Sequence, residues 1–157
     1  MRLPVNQSGL YGLLLLFFTA CSPPTSMTPY ALRLRPGQDL KAELIRFTQE
    51  NQLQAGIVLT CVGSLTEAGI RLANQDSATR YEGHFEIVSL TGTLAPDGVH
   101  LHIAIADSTG RCIGGHLMDG CRIYTTAEIA LGELGAYRFT REVDPTYGYQ
   151  ELKVVRR

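Results

Sequence analysis

The chain is 157 residues long, 45% hydrophobic and 18% charged, and its 14 Lys and Arg against 15 Asp and Glu leave a formal net charge of −1. That length suits one domain, and the apolar fraction excludes a disordered chain. The charge balance argues against a protein held on nucleic acid by a basic surplus, and four Cys in a chain of this size argue against a disulfide scaffold.

At the N-terminus Arg2 precedes a mostly apolar run, Gly9 to Ala20, which is shorter than the ~20 apolar residues of a membrane-spanning helix. A positive start, a short apolar stretch and small residues at its end are the marks of a secretory signal. Phe18-Thr19-Ala20-Cys21 resembles a bacterial lipobox, which implies a lipid anchor through Cys21 and a membrane-anchored lipoprotein facing the periplasm or the cell exterior. The alternative starts translation at Met27, directly before Thr28-Pro29-Tyr30, and makes the product cytoplasmic. The chain thus divides into a signal-like leader (1–21), a linker (22–29) and a folded domain (30–156). Beyond Cys21, residues Cys61, Cys112 and Cys121 lie among apolar or small neighbours and read as buried thiols.

From residue 28 onward the pattern predicts one helix and many strands, in keeping with 16 Gly and no Trp. Tyr30 to Arg35 alternates apolar and basic residues as a short strand does, and Pro36-Gly37 turns the chain. Asp39 is the expected N-cap of a helix reaching about Asn51, with Leu40, Leu44, Ile45 and Phe47 on its apolar side. Gln54 to Val62 is a near-continuous apolar strand broken at Gly63-Ser64, and Ala68 to Ala73 is the next. Further strands are predicted at 85–94, 99–106, 111–116, 121–131, 137–142 and 150–155, with turns at Pro96-Asp97-Gly98, Ser108-Thr109-Gly110, Asp119-Gly120 and Asp144 to Gly148. The result is an α+β domain with a central, mostly antiparallel sheet and one main helix.

The chemistry gathers on one hairpin. In Val99 to Ala106, Leu101, Ile103 and Ile105 share one face, while His100, His102, Ala104 and Ala106 share the other. Asp107-Ser108-Thr109-Gly110 suits a type I turn followed by glycine in the left-handed conformation, which sets Asp107 opposite Arg111 and His102 opposite His116. A slip of one residue would mix the apolar and polar faces, so pattern and turn select the same register. That register puts His100, His102 and His116 on one patch. Three imidazoles suit Zn²⁺ or another divalent transition metal and leave a fourth tetrahedral position open. Polar residues on a solvated sheet face are the competing reading of the same spacing. Gly114 and Gly115 would let backbone or ligand approach closely.

The segments Gly63-Ser64-Leu65, Phe85 to Gly92, Gly98 to His102, Gly114 to Leu117, Gly120 to Glu128 and Gly148 to Leu152 resemble the plant and prokaryote conserved (PPC) domain in its stand-alone bacterial and archaeal form. The resemblance implies an α+β fold, assembly as a homotrimer, and a metal site on His100, His102 and His116. Plant relatives join the domain to AT-hook motifs that bind DNA. This sequence carries no Arg-Gly-Arg-Pro hook.

Several further residues have the right chemistry in weaker settings. Glu86 reads first as a solvated strand carboxylate, and its chemistry also suits orienting one of the imidazoles. Tyr124, Thr126 and Glu128 alternate onto one face and suit a pocket or a subunit contact. His84 reads as a surface residue. Ser64 lacks the Gly-x-Ser-x-Gly nucleophile elbow, and the apolar neighbours of Cys61 oppose a reactive thiolate. Three functions remain: a trimeric ligand-binding or assembly module with a three-histidine metal site, a metal-dependent hydrolase or lyase, and DNA binding as in the plant relatives. The balanced charge disfavours the last.

Overall fold

The computed structural model describes residues 26–157; the stretch read above as a signal-like leader, with Cys21, lies outside the described residues. Eight strands and one helix follow in the order β1 (Met27–Leu34), α1 (Leu40–Glu50), β2 (Gly56–Arg71), β3 (Thr79–Ala95), β4 (Gly98–Ala106), β5 (Cys112–Leu117), β6 (Arg122–Leu134), β7 (Tyr137–Val143) and β8 (Gln150–Arg156). Every strand pairing among the described residues is antiparallel. The main sheet runs β1-β6-β2-β3-β4-β5, and β5 also pairs with the end of β2, which closes β2 to β5 into a ring. β7 and β8 form a separate two-stranded sheet.

The helix forms where its caps and apolar spacing predict. Asp39 Oδ1 accepts the Ala42 N–H at 3.0 Å, and its Oδ2 accepts the Gly120 N–H at 2.7 Å, so one carboxylate caps α1 and ties it to the turn before β6. Leu40 and Leu44 are fully buried against the sheet, and burial of each contributes about 2 kcal/mol. Thr48, on the same stripe, is buried because its hydroxyl donates to the Leu44 carbonyl at 2.8 Å. The core lies between this helix and the inner sheet face, with Leu65, Ile70, Leu101, Ile105, Leu117 and Ile123 at its centre.

Three of the expected strands change. β1 begins at Met27, ahead of the alternation from Tyr30, because residues 27–29 pair with Gly132 to Leu134 of β6. Gly63-Ser64 does not end a strand: β2 runs through it, bent by register shifts against β6 at Val58/Thr60, Gly63/Leu65 and Leu65/Glu67. A side chain at Gly63 would put Cβ 2.2 Å from the Thr126 carbonyl oxygen, so glycine marks close strand contact there. β3 likewise begins at Thr79, because Thr79 to Glu82 pair with β2 across the bulge that holds Gly83 and His84. Among the thiols, Cys61 and Cys121 are buried, and burial pushes both up to about 11. Cys112 is exposed instead, beside the turn of the β4–β5 hairpin and opposite Ala106.

Candidate metal centre

The β4–β5 turn is built as its sequence requires. The Asp107 N–H donates to the Arg111 carbonyl at 3.0 Å, the Gly110 N–H donates to the Asp107 carbonyl at 2.9 Å, and Gly110 has φ +81°. The Asp107 carboxylate accepts from the Thr109 hydroxyl and from the N–H groups of Thr109 and Arg111. These bonds, the Thr109 hydroxyl foremost, hold its pKa below the usual range. The register follows: Ile105 faces Ile113, Ala104 faces Gly114 and His102 faces His116. Leu101, Ile103 and Ile105 are buried, which leaves the histidines on the opposite face.

β5 is threaded between two neighbours. A Cβ on Gly114 would lie 2.7 Å from the Ile103 carbonyl oxygen, and one on Gly115 would lie 2.6 Å from that of Arg71. The two glycines thus let β4 and β2 close on β5 from both sides, and His116 comes opposite both His102 and Arg71.

The ligand atoms of His100, His102 and His116 lie within 4.8 Å of one another. His100 Nε2 and His102 Nε2 are 3.3 Å apart. Metal–nitrogen bonds of ~2.0–2.1 Å at a tetrahedral angle require a nitrogen–nitrogen edge of about 3.3 Å, so one edge already has the required length. Burial lowers the His116 pKa to about 4, with His100 and Arg71 acting in the same direction. Burial also lowers His100, reinforced by Arg141 and His102. At neutral pH these two rings therefore keep a lone pair for a cation. The donor set and its spacing fit a three-histidine metal site.

The other residues singled out from sequence stand elsewhere. Glu86 pairs with Ala106, four residues along β4 from His102, which is about 13 Å at strand rise. Glu128 faces Val62 and Arg33 on the outer face of the β1-β6-β2 region. Tyr124 is exposed and packs on His84, ring centroids 4.2 Å apart. β6 lies between β1 and β2, so the exposed Tyr124–Glu128 stripe belongs to a sheet face and not to an edge strand.

A cavity of about 620 Å³ borders the histidines, lined by His100, His116, Arg71, Arg141, Asp97 and Glu151 among others. Sequence reasoning missed Arg71, Arg141 and Glu151. Arg71 is brought in by the pairing of β2 with β5, and Arg141 and Glu151 belong to the second sheet. Phe139 of that sheet buries with Ala55 and Ala95, and the Phe139 N–H donates to the Gln54 carbonyl at 2.8 Å. No local pattern announces that docking.

An antiparallel α+β domain with three histidines converging on one hairpin face defines the class. The chain belongs to the family described as the Plants and Prokaryotes Conserved (PCC) domain, which matches residues 21–135. It is 54% identical over 132 residues to a bifunctional protein GlmU of Synechococcus sp. (strain JA-3-3Ab), covering 84% of this chain and 21% of that protein. It is 31% identical over 100 residues to AT-hook motif nuclear-localized protein 13 of Arabidopsis thaliana, covering 56% of this chain and 22% of that one. The chain thus spans about a fifth of the length of these relatives. A hypothetical protein from Salmonella has the same fold at TM-score 0.82 and 44% identity, over 86% of this chain and 98% of that one. A protein from Archaeoglobus fulgidus described as metal-containing shares the fold at TM-score 0.69 and 23% identity, over 80% of this chain and 93% of that one.

Proposed function

We propose that this chain is a trimeric ligand-binding and assembly domain that holds one divalent transition metal, zinc foremost, on His100, His102 and His116. The observation that carries the reading is the convergence of three imidazole nitrogens within 4.8 Å beside a cavity of about 620 Å³. A bound divalent metal supplies a Lewis acid there. The protein's own part is to hold His100 and His116 neutral by burial and to align all three imidazoles by the β4–β5 register. Elemental analysis of the full chain tests the reading. About one metal atom per chain, lost in the His102→Ala/His116→Ala double variant, supports it; a metal-free wild type after dialysis against zinc sinks it.

Self-assembly draws support from the outer sheet face. Val62 and Val88 are 56% and 55% exposed, and a shallow, largely apolar depression of about 510 Å³ borders Val62, Ile129, Ala130, Ala31 and Leu32. Apolar surface of this kind marks a contact with another protein surface. Light scattering should give three times the 17.2 kDa chain mass, and Val62→Asp should shift it toward the monomer.

The hydrolase or lyase reading draws on Asp97 and Glu151 in the same cavity, since such chemistry needs a group that moves a proton. Hydrolysis of a chromogenic phosphate ester by the zinc-loaded chain, lost in Glu151→Gln, is its test.

A further inference from the structure

We infer that Arg71 and Arg141 are the anion-binding residues of the cavity beside the histidines, and that its ligand is a small organic molecule bearing a phosphate or carboxylate group. The inference rests on the proposed metal site, whose charge the anion needs.

The two arginines reach the cavity by independent routes. Arg71 stands opposite His116 in the β2–β5 pairing, and its one side-chain bond is a long 3.4 Å contact from Nη1 to the Gln75 carbonyl. Arg141 comes from β7. Its backbone N–H donates to Asp97 Oδ2 at 2.8 Å and its Nη2 donates to Thr93 Oγ1 at 2.8 Å, and Thr93 stands opposite His100. The guanidiniums therefore flank the histidines from two sides.

Neither guanidinium lies within 4 Å of a carboxylate among the described residues. Arg141 is nonetheless partly buried, and its Nε is buried with no acceptor. Guanidinium present a planar fork of donors that matches a phosphate or carboxylate, and leaving such donors unpaired in a partly buried place is costly. At about 620 Å³ the cavity has the size of a small-molecule site, with room for an organic body beyond the anionic group.

Charge decides when the anion enters. Asp76, Asp97 and Glu151 line the same cavity and outnumber the two arginines by one. Alone, that lining disfavours an anion, whereas a dication on the histidines makes the net local charge positive. Anion binding is therefore metal-dependent.

The test uses the full chain, zinc-loaded, with its metal content measured first. Methyl phosphate and succinate are titrated calorimetrically into wild type, Arg71→Gln, Arg141→Gln and the corresponding Lys variants. At least one oxyanion should bind wild type, and which one distinguishes a phosphate ester from a carboxylate ligand. Each Gln variant should keep one metal per chain and lose about tenfold or more in affinity, the Lys variants should recover part of it, and chelator-stripped wild type should not bind. One metal per chain with no binding of either oxyanion, or with binding unchanged in both Gln variants, overturns the inference and leaves the metal site standing. A wild type that takes up no metal overturns both.

Discussion

Replacing His116 with Ala isolates one ligand of the proposed centre. Zinc bound through four protein ligands in small domains is worth about 10–16 kcal/mol, so one ligand carries about 3–4 kcal/mol, or roughly 100- to 1,000-fold in affinity. At a zinc concentration a hundredfold above the wild-type Kd, linkage stabilises the folded chain by about 2.7 kcal/mol. For a chain of this size that raises Tm by about 5–10 °C. In His116→Ala the same zinc sits at or below Kd, and the residual gain is about 0.4 kcal/mol or less, within 1–2 °C of the chelated protein. His116 is only partly buried, so the metal-free variant should melt close to the metal-free wild type. Differential scanning calorimetry with zinc and with chelator reads both quantities. His84→Ala is the control: His84 is exposed and packs on Tyr124, so its variant should keep the full zinc shift. A wild type indifferent to zinc, or a His116→Ala variant with the wild-type shift, would refute the reasoning.

Other perturbations act on the scaffold. His116 titrates at about 4 in the folded chain against about 6.5 unfolded, so the unfolded state binds more protons between those values. Metal-free stability therefore falls as pH drops through that window, and His116→Asn should flatten the fall in melts taken from pH 7 to pH 4. Gly115→Ala sets a methyl 2.6 Å from the Arg71 carbonyl oxygen and forces β2 and β5 apart. It should cost about 1–3 kcal/mol in urea unfolding and weaken zinc binding as well. Asp39→Ala removes the bonds to Ala42 and Gly120 and should cost about 1–2 kcal/mol by the same measurement, with metal content unchanged. With a net charge of −1, the chain should bind duplex DNA no more tightly than about 10⁻⁶ M at physiological salt, and a nanomolar gel shift would contradict this.

The sequence by itself determined whatever depends on near neighbours. Alternation in Val99 to Ala106 fixed which residues are buried, and Asp107 with Gly110 fixed the turn. Together they set the register that joins His102 to His116, because a hairpin is a local object whose turn length dictates its pairing. Asp39 announced the helix for the same reason: its carboxylate caps the turn of chain that follows it. The continuity of β2 through Gly63-Ser64 was not legible, since glycine signals a break or a close approach equally well and only β6 alongside decides. Glu86 and Glu128 had the right chemistry but were placed by strands whose order no local pattern reveals. The cavity was likewise decided by tertiary structure. Arg71 reaches His116 only because β5 folds back onto β2, and Arg141 reaches Thr93 only because the β7–β8 sheet docks through Phe139. Contacts between residues tens of positions apart are chosen by competition among packings of the whole chain, and that competition leaves no periodicity in the sequence to read.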